Sequence, residues 1–164
     1  MSQVIDRLVA LRVSDVMASH VQTVGRNQTM SEIAAIFAQH DLSSAPVVDE
    51  LGHCVGVITA SDFVKRENRM QQTSGIDAID SDGFRCVPVG ADYVSHHMSE
   101  AVQSIDPGAS LLIAARMMCA EHIHRLLVID DSQQPVGVVS TMDIIAAMVN
   151  VVDEMNADID REAH

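Results

Sequence analysis

The chain spells one hydrophobic pattern twice. In the first half a short extended stretch, Val21-Gln22-Thr23-Val24, precedes a segment in which Ile33, Ile36 and Phe37 recur at helical spacing. Two apolar runs follow, Ala45-Pro46-Val47-Val48 and Cys54-Val55-Gly56-Val57-Ile58, separated by Glu50-Leu51-Gly52-His53. Period and length predict a helix over 29–39, opened by a Thr29-x-x-Glu32 capping box, and a hairpin closed by a short polar turn. A second helix is expected to open after Thr59. The order is β-α-β-β-α.

The second copy begins 81 residues later and needs no gap. Val13 falls on Val94, Ser14 on Ser95 and Met17 on Met98. Val47-Val48-Asp49 falls on Val128-Ile129-Asp130, and the run Gly56-Val57-Ile58-Thr59-Ala60-Ser61-Asp62 on Gly137-Val138-Val139-Ser140-Thr141-Met142-Asp143. Register held over this length is the mark of an internal duplication. Repeat one spans 10–69, with a helix over 2–12 before it, and repeat two spans 91–155 with a C-terminal helix extension. Residues 70–90, polar, acidic and glycine-containing, read as a linker with one extended piece at Cys86–Val89. The second repeat's first helix is expected to bury a stripe of Leu112, Ala115, Met118 and Cys119. In the last helix Ile144, Ile145, Met148, Val149, Val152 and Met155 form an apolar stripe that outruns the repeat. Ile5, Leu8 and Val9 give the first helix its own stripe, and residues 157–164 are expected to fray.

Composition narrows the class. Hydrophobic residues make up 48% of the 164, enough for a core, but aromatics make up only 2%, so Val, Ile, Leu, Ala and ten Met must fill it. A net charge of −13 argues against a general binder of nucleic acid or of anionic membranes. It leaves room for a small anionic ligand met by a local basic cluster. Cys54, Cys86 and Cys119 are isolated, odd in number and lack a CxxC, which suits a reducing compartment. No charged-then-apolar leader follows Met1 and no apolar run is long enough to span a bilayer, so a soluble cytoplasmic protein is expected.

Two β-α-β-β-α units, each ending in Gly, two β-branched residues and (Ser/Thr)-x-x-Asp, resemble a tandem pair of cystathionine-β-synthase (CBS) domains, a Bateman module. Val13-Ser14-Asp15-Val16-Met17, Ser43-Ser44-Ala45-Pro46-Val47-Val48-Asp49 and Gly56–Phe63 fit in the first copy. Val94–Met98, His124–Asp130 and Gly137–Ile144 fit in the second. The resemblance implies an α+β (mixed α/β) fold, with two repeats related by a pseudo-two-fold axis in one disc-like module. It also implies a regulatory role: an adenosine-containing ligand (AMP, ADP, ATP or S-adenosylmethionine) in a cleft between the repeats. Arg26 stands where copy two has Pro107, and Pro46 where copy two has Leu127, so the two clefts need not be equivalent.

Each hydroxyl–Asp pair has two readings. Thr59 or Ser140 can cap the helix while Asp62 or Asp143 suits its macrodipole. Carried over from the family, Thr59 and Ser140 would instead contact phosphate, and Asp62 and Asp143 would hold the two ribose hydroxyls. His124-Arg125 is similar to a His-Arg-Leu-Pro-Val run in the γ subunit of AMP-activated protein kinase. There the Arg fork and a His donor reach phosphate; the plain reading is an exposed turn. Copy one has Ser43-Ser44 there, so the two sites should differ in charge. Lys65 and Arg66 either add to a phosphate region or stand idle on the helix surface. Thr23, Ser104, Ser44, Ala45, Pro46 and Leu126 are the family-implied surroundings of the base.

His96-His97 and His122-x-His124 lack an acidic or Cys partner at zinc-site spacing, so no metal is expected. Nothing resembles a nucleophile motif, so no enzyme is expected. No cofactor is expected beyond the regulatory ligand. Besides that ligand, the expected partners are a second copy of the chain, as a homodimer, and an unidentified protein target. The alternative function is a ligand-free assembly module.

Overall fold

The computed structural model describes residues 2–73 and 92–162. It is an α+β chain with six α-helices and two three-stranded sheets among those residues. Helices α1 (Ser2–Ala10) and α2 (Val13–Val16) lead in. Then come β1 (Val24–Gly25), α3 (Met30–His40), β2 (Ser44–Val48), β3 (Cys54–Thr59) and α4 (Ala60–Thr73). A 3-10 turn at Val94–His96 precedes β4 (Ser104–Ile105), α5 (Leu111–Glu121), β5 (Arg125–Ile129), β6 (Pro135–Ser140) and α6 (Thr141–Glu162). In each sheet the first strand runs parallel to the second, and the second and third form an antiparallel hairpin.

The β-α-β-β-α order is as the sequence predicts, and local chemistry explains it. Thr29 and Glu32 form the expected capping box: the Glu32 carboxylate accepts from Thr29 N at 2.7 Å, and Thr29 Oγ1 accepts from Glu32 N at 3.3 Å. Each hairpin turn is tied by one Asp carboxylate. Asp49 Oδ1 accepts from Leu51 N and His53 N, and Asp130 Oδ1 from Ser132 N and Gln134 N, all at 2.9 Å. The extended stretches before the first helix of each repeat shrink to two-residue strands, because only Val24-Gly25 and Ser104-Ile105 find ladder partners.

Compactness divides the chain differently from the repeat. One unit consists of residues 1–21 and 102–164, the other of 22–101. The short segment that opens each repeat is therefore built into the other repeat's body. In the discontinuous unit, Val13 N and Ser14 N donate to Ala109 O and Pro107 O, and Leu111 N to Leu11 O. Ala18 and Val138 exchange two backbone bonds of 2.9 and 3.0 Å. In the continuous unit, Val94 N and Ser95 N donate to Gln28 O and Arg26 O, and Met30 N to Asp92 O. Val57 and Ser99 exchange two bonds of 2.9 Å. Val13 and Val94 are fully buried, each completing a core it does not belong to by sequence.

Glycine makes this contact possible. A Cβ on Gly56 would lie 2.8 Å from Ser99 O and 2.9 Å from Met98 Sδ. On Gly137 it would lie 2.5 Å from Met17 Sδ and 3.0 Å from Ala18 O. Glycine inside a strand marks such a close backbone approach.

Several expectations are corrected. The buried face of α5 is Leu111, Ala114 and Met118, matching Met30, Ile33 and Phe37 of α3, whereas Leu112 and Cys119 are exposed. The α6 stripe splits in two because Ile144 and Ile145 are neighbours about 100° apart on a helix. Ile144, Ala147 and Val151 are buried; Ile145, Met148, Val149 and Val152 are exposed. Helix α1 ends at Ala10, since Leu11 and Arg12 are drawn into contacts with Leu111 and Ser110. It packs on α6, where Arg7 meets Glu154 at 3.5 Å, but Ile5 and Val9 stay exposed. Helix α4 continues through the expected start of the linker to Thr73, and α6 runs to Glu162 through residues expected to fray. The extended piece at Cys86–Val89 lies outside the described residues. Among the described residues no helix is long and apolar enough to cross a membrane.

Candidate functional site

In the discontinuous unit the sheet gathers its candidate residues at one end. Arg125 opens β5 and pairs across the ladder with Ser140, the last residue of β6. His124 O accepts from Thr141 N at 3.0 Å, fixing the His124-Arg125 turn beside the start of α6. Ser140 and Asp143 form a reciprocal cap. Asp143 Oδ2 accepts from Ser140 N at 2.7 Å and from Ser140 Oγ at 2.6 Å, and Asp143 N donates to Ser140 Oγ at 3.2 Å. The helix-capping reading of this pair is thus realised. Asp143 Oδ1 carries no hydrogen bond from any described residue. His124 and Arg125 are exposed. Ser104, half-buried in β4, stands opposite Leu127 on the other side of β5. Leu126 is fully buried with its side chain in the core, so only its backbone can face a ligand.

The continuous unit repeats the geometry with other chemistry. Ser44 is exposed and pairs with Thr59, and Ser43 O accepts from Ala60 N at 2.9 Å. Asp62 Oδ2 accepts from Thr59 N at 2.9 Å and from Thr59 Oγ1 at 2.7 Å. Its Oδ1 accepts from Lys65 Nζ at 2.9 Å. Burial pushes the Asp62 carboxyl up, but the hydrogen bonds from Thr59 and Lys65 outweigh it and hold its pKa below the ordinary value. Thr23 sits half-buried just before β1, while Ala45 and Pro46 are buried in β2. The Ala45 side chain serves the core, as that of Leu126 does, whereas Pro46, next along the strand, faces the other side of the sheet.

Lys65 and Arg66 of α4 are each drawn to a carboxylate. Lys65 turns back to Asp62, and Arg66 pairs with Asp92, whose other oxygen meets His97 Nε2 at 2.5 Å. Sequence reasoning left both residues open. The Asp-x-x-Lys spacing was the available signal for Lys65; Arg66–Asp92 joins residues 26 apart and had none. The remaining histidines are scattered: His122 is the left-handed C-cap of α5, and His96 packs edge-on to Tyr93.

Comparison with known proteins gives one family. The family model for the CBS domain matches residues 13–69 and 89–150. The CBS domain-containing protein YhcV of Bacillus subtilis (strain 168) is 32% identical over 132 residues, covering 80% of this chain and 81% of that protein. A longer relative, the uncharacterized protein MJ1232 of Methanocaldococcus jannaschii, is 30% identical over 135 residues; the match covers 82% of this chain but only 38% of that protein. Among solved structures, CBSX2 in complex with AMP superposes with a TM-score of 0.66 at 18% identity, covering 85% of this chain and 97% of that one. The CBS domain pair of MJ0100, in complex with 5′-methylthioadenosine and S-adenosyl-L-methionine, gives 0.64 at 23% identity, covering 86% and 98%.

The Asp62 cap has a measurable pH signature. A carboxyl whose pKa is lower folded than unfolded contributes stability above its unfolded pKa, near 4, and loses it as pH falls through the folded value. Asp62→Asn is expected to cost about 1 kcal/mol at neutral pH, in urea unfolding. The gap from the unsubstituted chain should close below the folded pKa of Asp62. A gap that persists at the acid end would show that the charge contributes nothing.

Proposed function

The chain belongs to the CBS-domain family, and we propose that it is a regulatory module that binds an adenosine-containing ligand (AMP, ADP, ATP or S-adenosylmethionine) without catalysing a reaction on it. The observation that carries this reading is the end of the β4-β5-β6 sheet, where Asp143 keeps one carboxylate oxygen without a donor among the described residues, close to the Arg125–Ser140 pair.

The chemistry suits a nucleotide. Vicinal ribose hydroxyls are two donors a fixed distance apart, and a carboxylate held by its own cap is a rigid acceptor for them. The guanidinium of an arginine has a planar fork that matches phosphate oxygens, and His124 adds a short donor. The first turn of α6 offers the positive end of its dipole to the same anion. The base would lie against the backbone near Ser104 and Leu126. Two structural neighbours support the ligand class: one was solved with AMP, the other with 5′-methylthioadenosine and S-adenosyl-L-methionine. Ligand occupancy then acts on a protein partner by favouring one arrangement of the chain.

A second reading, assembly, has its own observation. Ile145, Met148, Val149 and Val152 leave an apolar face on α6, and Met148, Val149, Val152 and Asp153 line a shallow cavity there. We infer that this face pairs with a second copy in a closed two-fold dimer, and Met side chains suit such a contact.

Each reading has a direct test. Arg125→Ala, followed by titration calorimetry, should weaken AMP by about 1.5–3 kcal/mol and leave adenosine unchanged; equal losses for both would remove Arg125 from the phosphate. Light scattering at tens of micromolar should give a dimer for the unsubstituted chain and a monomer for Met148→Glu with Val152→Glu. A monomeric unsubstituted chain would end the assembly reading.

A further inference from the structure

The two hydroxyl–Asp caps are alike in sequence and in strand pairing, yet among the described residues only that of Asp62 is closed by a cation. Asp62 is 7% exposed, and both its oxygens are engaged, Oδ2 by Thr59 and Oδ1 by the Lys65 ammonium at 2.9 Å. The residue at the same place after Asp143 is Ala146, which has no donor, and Asp143 Oδ1 is without a hydrogen bond from any described residue.

We propose that Lys65 is an internal plug: it occupies the acceptor face of Asp62 that a ribose diol would need, so that the Asp143 site binds an adenosine-containing ligand and the Asp62 site does not. This rests on the reading of the Asp143 site given above and adds which repeat is open and why. The competition is between donors of unequal strength. Both an ammonium and a ribose hydroxyl would donate to the charged carboxylate, but the ammonium adds the Coulomb attraction of a full positive charge that a neutral hydroxyl lacks. Lys65 also sits three residues along the same helix, so its return to Asp62 involves no association cost. A ribose approaching Asp62 meets a neutralised acceptor. It also meets Ser43-Ser44 where the other repeat offers His124-Arg125, so no phosphate contact compensates for displacing the lysine. The side chain of Lys65 is 64% exposed and lies outside both hydrophobic cores, so its removal should open the site without disturbing the fold.

Titration calorimetry of the full chain with AMP decides the matter. The unsubstituted protein is expected to bind one AMP per chain, Lys65→Ala two, and Lys65→Ala with Asp62→Asn one again. With 2′-deoxyadenosine 5′-monophosphate in place of AMP both equivalents should weaken, because the diol is then incomplete, and the second should vanish, because it has no His124-Arg125 contact to retain the phosphate. Two AMP per chain in the unsubstituted protein would overturn the plug. One per chain in Lys65→Ala, with Asp143→Asn abolishing it, would overturn the plug and leave the Asp143 reading standing. No AMP bound by any variant would overturn both.

Discussion

Everything in this chain depends on a backbone contact across a glycine. The segment that opens each repeat runs antiparallel to the last strand of the other repeat's body, close enough that a single methyl group would meet its carbonyl oxygen or methionine sulfur. Two reciprocal hydrogen bonds hold each crossing, and a buried valine, Val13 or Val94, anchors it in the core. A body of three short strands and two helices is small for a stable core on its own. The borrowed segment supplies both a covering strand and a core residue. Gly56 and Gly137 are therefore the point on which closure of each unit turns.

The same strand that carries the glycine also delivers the site. Three residues beyond Gly56 or Gly137 the strand ends in Thr59 or Ser140, and its helix begins at once. The hydroxyl and the Asp three residues later must satisfy the strand's last N–H and the first turn of the helix. The carboxylate satisfies the strand's last N–H in both repeats, and in the second the Ser140 hydroxyl also accepts from Asp143 N. Capping takes one carboxylate oxygen and leaves the other to be assigned. In one repeat Lys65 takes it; in the other nothing among the described residues does. The cap thus fixes each aspartate through one oxygen and holds the other in place.

What the sequence could show was whatever is encoded by spacing. The Thr29–Glu32 box and the turn at Glu50–His53 rest on residues a few positions apart, and the structure has them where pattern placed them, whereas the Asp49 and Asp130 ties that hold the turns appear only in the structure. The crossing of the opening segments was hidden, because an offset aligns equivalents and says nothing about which body each packs against. Helical stripes were blurred where apolar residues are consecutive: Leu111-Leu112-Ile113 and Ile144-Ile145 each offer more than one face, and only packing selects Leu111 and Ile144. Arg125 and Ser140 pair at the end of one sheet, with His124 before its strand and Asp143 in the helix that follows, whereas the side chains of Ala45 and Leu126 go to the core. Lys65 escaped assignment since a lysine on a helix surface reads the same whether solvated or bound to its neighbour.

The closure of the units across glycine is tested most directly by the stability of Gly56→Ala beside Gly25→Ala. Gly25 lies in β1 of the same unit, but a Cβ there would meet only Gln28 at 3.6 Å, an ordinary contact. In urea unfolding, Gly56→Ala should lose about 1–3 kcal/mol as Ser99 and Met98 are forced away. Gly25→Ala should stay within about 0.5 kcal/mol of the unsubstituted chain. Equal stability for the two variants would contradict the account, because it would mean that the segment around Ser99 does not lie against β3.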